Sequence, residues 1–266
     1  VYGIAKMLNF AHGDIIMIGA YAGIIAVAQM GLPPLIAVLL SILICALLGV
    51  LIEFLAYKPL RQAGPLAVLI TAIGVSYFLQ NAAQLLWGAT PKNFTSLVTF
   101  PVPEFLAKFN VSAVSLVTIV ACLVIMAGLM FFTGKTKMGK AMRAVSEDKA
   151  AAQLMGINVN RTISMTFAIG SALAAIAGVL LCSYSPVLQP TTGAMPGIKA
   201  FDAAVFGGIG SIPGAFVGGI LIGIIEAMAQ AYISTSLANS IVFGVLIIVL
   251  LVKPAGLLGK YVPEKV

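Results

Sequence analysis

This sequence is poor in charge. Only 9% of its 266 residues are charged, 61% are hydrophobic and the mean hydropathy is +1.12, whereas a soluble domain carries about 25% charged residues. So few charges exclude a soluble enzyme, a disordered tail and a nucleic-acid-binding module. There is a single histidine, His12, and the three cysteines, Cys45, Cys122 and Cys182, lie singly inside apolar runs with no Cys-x-x-Cys. Neither a metal site nor a disulfide is expected, and the cysteines read as packing residues. No stretch alternates apolar and polar positions as a transmembrane β-barrel strand does. A nucleotide-binding loop is missing too. The nearest approach, Gly128 to Thr136, has one residue too many between its glycines and follows an apolar helix instead of a strand.

What is present is a series of long apolar runs. About 20 such residues cross a hydrocarbon core of roughly 30 Å, and runs of that order lie at 14–30, 34–57, 65–88, 111–133, 161–184, 213–232 and 237–253. Breakers and charges separate them, as at Lys58-Pro59-Leu60-Arg61 and across 134–160. The pattern predicts an all-α, polytopic integral membrane helical bundle of about seven full spans, folded as one domain over 1–266. Residues 1–8 read as the tail of a helix whose beginning is absent.

The cations fall on one side of this arrangement. With the 58–64 loop placed in the cytoplasm, that side collects Lys6, Lys58, Arg61, Lys135, Lys137, Lys140, Arg143, Lys149, Arg161, Lys253, Lys260 and Lys265, and the other keeps Lys92, Lys108 and Lys199. Such an imbalance orients a membrane protein with its basic loops inside and puts the C-terminus in the cytoplasm. Parity then requires one more inward passage between 184 and 213. The segment 197–210 supplies it as a half-helix, broken at Gly210-Ser211-Ile212-Pro213-Gly214. Backbone broken at membrane depth persists only where protein or a water-filled cavity satisfies it. Gly207, Gly208, Gly210, Pro213 and Gly214 are therefore candidates for the wall of a pathway.

Ionisable and amide residues inside spans are the other pathway candidates, because burying them is costly. Glu226 lies towards the outer end of 213–232, and Gln80, Asn81 and Gln84 form an entrance near the outer end of 65–88. Ser164, Thr166 and Ser171 are weakly polar lining residues on 161–184. Glu53 reads as an anchor reaching the interface or Lys58. Lys199 and Asp202, three apart, are expected to pair with each other. Asn9, His12 and Asp14 read as capping and turn residues near the inner surface. The spacing Gly210-x3-Gly214-x3-Gly218 permits close helix approach, within the chain or against a partner.

The longest polar stretch predicts a short surface helix. Ser146 is a suitable N-cap, Glu147 and Asp148 suit a first turn, 147–155 are good helix formers and Gly156 is a natural stop. Ala151, Leu154 and Met155 would give it an apolar face, which either docks into a partner's groove or rests on anionic lipid.

Here the sequence resembles a known family. Ala151-Ala152-Gln153-Leu154-Met155-Gly156 is similar to the Ala-Ala-x-x-x-Gly part of the coupling loop of ABC-importer permeases, although position 150 is Ala where the motif has Glu. Leu8-Asn9-Phe10-Ala11-His12-Gly13-Asp14, Tyr57-Lys58-Pro59-Leu60-Arg61, Ala204 to Gly214 and Lys253-Pro254-Ala255-Gly256-Leu257-Leu258-Gly259 add to it. Together they resemble LivH-type permeases of branched-chain amino-acid ABC importers along essentially the whole chain. The resemblance implies a multi-pass inner-membrane subunit that forms half of a pore with a LivM-type permease. It also implies two cytoplasmic ATPase subunits that bind ATP, no cofactor and no catalysis in this chain, and a periplasmic binding protein delivering leucine, isoleucine or valine. Residues 139–158 would be the coupling loop. Similar permeases carry urea or short amides, and an ion-coupled carrier would also use a broken half-helix.

Overall fold

The computed structural model describes residues 2–5, 7, 9–61, 63–94, 96 and 112–259. Lys6, Lys108, Lys260 and Lys265, four of the cations in the orientation count, lie outside the described residues. The elements are α1 (Tyr2–Ala5), α2 (His12–Ala28), α3 (Pro34–Ile52) running into a π-helical turn (Glu53–Tyr57), α4 (Pro65–Trp87) and β1 (Lys92–Asn93). There follow α5 (Ala113–Lys135), α6 (Lys137–Glu147), α7 (Lys149–Leu154), α8 (Val159–Tyr184) and β2 (Val187–Leu188). The chain ends in α9 (Ala194–Gly207), α10 (Ile212–Tyr232) and α11 (Ala238–Val252). Five of these helices, counting α3 with its π-turn, are long and apolar enough to span a membrane, and α2 and α11 are shorter apolar helices. The expected helical bundle is borne out, with each of the seven apolar runs recovered as a helix.

The chain forms two compact units, one of Gly3–Gly197 and one of Ile198–Val266. In the first, α2, α3 and α8 make the centre. Small residues allow it. A Cβ on Gly19 would collide with Ala175, and one on Gly49 with the Ser171 side chain, so these helices meet nearly backbone to backbone. One end of this core holds Ile15, Cys45, Tyr57, Ile163 and Phe167, with the Tyr57 and Phe167 ring centroids 5.2 Å apart. The other end holds Met17, Tyr21, Val179, Cys182 and Leu188, with Tyr21 stacked on Trp87 at 4.4 Å. The two-residue ladder Lys92↔Leu188 and Asn93↔Val187 closes that end.

The outer faces invert the pattern of a soluble protein. Leu35, Leu39, Leu43, Leu47 and Leu51, four apart on α3, are all exposed. A continuous apolar stripe of this kind is what lipid or another subunit covers. Cys45 and Cys182 are buried, Cys122 is exposed and all three are free.

In the second unit α10 and α11 pack around Ala203, Phe206, Ile222 and Val242. The half-helix exists but begins and ends three residues earlier than expected, at 194–207. It stops because Gly208 and Gly210 take φ of +106° and +90°, left-handed backbone that disfavours side chains. The P-loop look-alike Gly128–Lys135 lies inside α5, which removes any resemblance to a strand-to-helix phosphate loop.

Candidate functional site

Three arrangements bring together the residues singled out above. The first is the polar stretch. Thr136 caps α6, its hydroxyl accepting from Gly139 N at 3.0 Å, and α6 runs on through Glu147. Ser146 is thus inside a helix, its Oγ donating to the Arg143 carbonyl at 2.6 Å. The cap of the next helix is Asp148, not Ser146. Its Oδ1 accepts from Ala150 N at 2.8 Å and Ala151 N at 3.0 Å. A carboxylate satisfies two orphan donors at once and places its charge at the positive end of α7, an advantage that a serine lacks. At the other end Gly156 has φ +81°, Gly156 N donates to Gln153 O and Ile157 N to Ala152 O, both at 3.0 Å. This is the paired stop of a Schellman motif, as the sequence led one to expect at Gly156. Between these locks Ala152 turns inward, while Leu154 and Met155 are 89% and 83% exposed. Glu147, Asp148 and Ala151 are exposed beside them.

The second arrangement is a cleft of about 290 Å³ between α4 and the turn after β2. Gln80, Asn81 and Gln84 line it with Tyr77, Gln189 and Thr191. Gln80 Nε2 donates to Asp14 Oδ1 at 2.9 Å and to Ser76 Oγ at 3.2 Å. For Asn9, His12 and Asp14 the expected turn is present, His12 N donating to Asn9 O at 3.2 Å, but the expected capping is corrected. No side chain caps α2, and Asp14 is buried beside a residue roughly 22 Å along α4 at 1.5 Å per residue. Asn9 Oδ1 instead accepts from the Tyr57 hydroxyl at 2.9 Å.

The third is the broken passage of the second unit. A Cβ on Gly207 would fall on the Gly214 carbonyl, and one on Gly218 on the Ala203 carbonyl. The small-residue spacing thus serves packing of α10 on α9 within the chain. The last carbonyls of α9 are met by Leu257 N on Phe206 O and Leu258 N on Gly207 O, both at 2.9 Å. Backbone that ends in an apolar setting needs such partners. Nothing in the hydropathy of Lys253 to Gly259 announces this use; the Pro254-Ala255-Gly256 turn was the available signal. Lys199 does not pair with Asp202. Its Nζ donates to Glu226 Oε1 at 2.6 Å, and Gln230 Nε2 donates to the same oxygen at 3.1 Å. Asp202 is buried, and Lys199 takes the carboxylate on the neighbouring helix instead.

A polar cluster escaped the sequence reading. Glu53, 1% exposed, is bound through Oε1 by Arg61 Nη2, and its Oε2 accepts from Ser164 Oγ at 2.6 Å. Arg61 Nη1 also donates to Asn160 Oδ1. Lys58, the expected partner, sits over the Phe54 ring at 4.6 Å instead. Ser164 is thereby occupied, and Thr166 is hydrogen-bonded back to Thr162 O at 2.8 Å. Among the described residues no group of His, Cys, Asp and Glu is arranged to hold a metal.

The family model described as branched-chain amino acid transport system / permease component matches residues 1–251. The high-affinity branched-chain amino acid transport system permease protein LivH of Escherichia coli K12 is 44% identical, over all of this chain and 90% of its own length. BraD of Pseudomonas aeruginosa, named for the same transport system, is 42% identical over the same shares. The autoinducer 2 import system permease protein LsrD of Salmonella paratyphi B is 27% identical over 92% of this chain and 76% of its own. No solved structure matches the chain.

Proposed function

This chain belongs to the family of branched-chain amino acid transport permeases, and we propose that it forms half of the translocation pore of an ATP-driven importer of leucine, isoleucine and valine. The observation that carries the ATP-driven reading is α7: six residues, locked at both ends, offering exposed Leu154 and Met155 from a chain with no nucleotide-binding loop of its own. Glu147, Asp148, Ala151, Ala152, Leu154, Met155 and Gly156 form the coupling segment, whose exposed residues contact a cytoplasmic ATPase while buried Ala152 seats α7 on its own chain. Two ATPase subunits, a LivM-type second permease and a periplasmic binding protein complete the machine, and ATP binds to the partners alone. The chain performs no bond chemistry. The cargo follows the names of the 42–44% identical relatives, which favour branched-chain amino acids over urea or short amides. A family described as a component of a transport system also speaks against a stand-alone ion-coupled carrier.

The protein sits in the inner membrane with the 58–64 loop, α6, α7 and the C-terminus in the cytoplasm. Gln80, Asn81 and Gln84 then lie towards the outer side. Gly207, Gly208, Gly210, Pro213, Gly214 and Glu226 contribute to the pathway from the second unit. The test is reconstitution. The chain alone in liposomes transports no leucine, whereas the chain with its partner permease, ATPases and binding protein imports leucine when ATP is supplied. Uptake by the single purified chain would overturn the reading.

A further inference from the structure

Gln80 stands between a buried carboxylate and an open cleft. Both hydrogens of its Nε2 are used, one on Asp14 and one on Ser76, while no hydrogen bond from the described residues reaches its carbonyl oxygen Oε1. Hydrogen bonds in series polarise one another. The Asp14 carboxylate, 1% exposed, draws on the amide N–H and raises the electron density on Oε1. That oxygen becomes a better acceptor for a cation than an isolated amide is. No Lys, Arg, Asp or Glu lines the cleft. The side-chain amides of Gln84 and Gln189 hold no partner among the described residues, and each offers N–H donors. Tyr77 and Pro190 supply apolar surface. At about 290 Å³ the cleft is at the small end of ligand sites, the size for a small amino acid and not for a peptide.

We propose that this cleft is a resting site for a zwitterionic aliphatic amino acid. Its ammonium sits on Gln80 Oε1, backed by Asp14, and its carboxylate takes the amides of Gln84 and Gln189. The branched side chain lies on Tyr77 and Pro190. The inference rests on the permease reading above and adds which groups of the cargo are recognised. With charge held one residue behind the wall, the site binds weakly, with a Kd on the order of 1 mM, and so releases its cargo onward.

Cysteine protection in the complete transporter tests it. Cys122, the exposed native cysteine, is replaced by Ser, and Ala89→Cys, at the cleft wall, or, as a second reporter, Thr191→Cys is labelled by a small maleimide in nanodiscs. With a Kd near 1 mM, about 10 mM leucine slows labelling about tenfold by mass action. 4-Methylpentanoate, which lacks the ammonium, and isoamylamine, which lacks the carboxylate, each slow it less than about twofold at the same concentration. Asp14→Asn in the same background removes most of the leucine protection. Unchanged labelling of both reporters with leucine, in a complex that imports leucine, overturns the cleft and leaves the permease reading intact. Equal protection by 4-methylpentanoate also overturns it. No leucine uptake by the Cys122→Ser complex overturns the permease reading and the cleft with it.

Discussion

Ser164 Oγ donates a 2.6 Å hydrogen bond to Glu53 Oε2, which ties the base of α8 to the π-turn that ends α3. Arg61 holds the other carboxylate oxygen and Asn160 as well. Arg61 and Ser164 thus satisfy the one buried anion, and Asn160 holds the arginine in place. Removing the cation leaves that anion uncompensated, which typically costs about 3–5 kcal/mol. Arg61→Ala should therefore lower the unfolding midpoint in detergent clearly, whereas Glu53→Gln with Arg61→Met should recover part of the loss. A single Arg61→Ala variant as stable as wild type would show that the cluster is not a structural tie.

Leu154 is the cleanest position at which to test docking. It is 89% exposed, and exposed substitutions usually change stability by no more than about 0.5 kcal/mol. Leu154→Asp should leave the thermal midpoint in place while ATPase subunits no longer co-purify. Proline at Ala151 is a poorer probe, because Ala151 N donates to Asp148 and its removal damages the cap as well as the surface. Co-purification at wild-type yield with Leu154→Asp would count against docking through α7.

Gly207 leaves no room for a side chain against the Gly214 carbonyl. Gly207→Ala should destabilise by about 1–3 kcal/mol, the usual cost of overpacking. Gly223, with open space around it, should accept Ala with little change. The pair, compared by thermal unfolding, separates close approach from a general effect of losing glycine.

Orientation is checked by labelling from either side of sealed vesicles. Asn93 and Gln153 are exposed, whereas Phe94 is buried, so Asn93→Cys and Gln153→Cys are the reporters. With Cys122 removed, Gln153→Cys should react only with reagent on the cytoplasmic side and Asn93→Cys only from outside. The opposite result would invert the topology.

The spans were legible because apolar runs of membrane length need no tertiary context; 65–88 became Pro65–Trp87 and 213–232 became Ile212–Tyr232. Gly156 was legible too, since a left-handed stop has few residue solutions. Pairings were not. Lys199 had Asp202 at helical spacing, and nothing along the chain says that Glu226 on the next helix is nearer. Glu53 found Arg61 because a π-turn shifts the face of α3 just before the loop, a local insertion that hydropathy does not register. Gln80, Asn81 and Gln84 were visible as amides, but Asp14 behind them was not. Its place depends on how α2 meets α4.

Stiffness is the consequence of the double lock on α7. A helix pinned by Asp148 at one end and by the Gly156 turn at the other has little slack to absorb a push. Asn158, two residues past that turn, is itself the N-cap of α8, its Oδ1 accepting from Arg161 N at 3.0 Å. Force applied at Leu154 therefore reaches the longest helix of the protein through only a few backbone bonds, as a tooth drives the shaft on which it is cut.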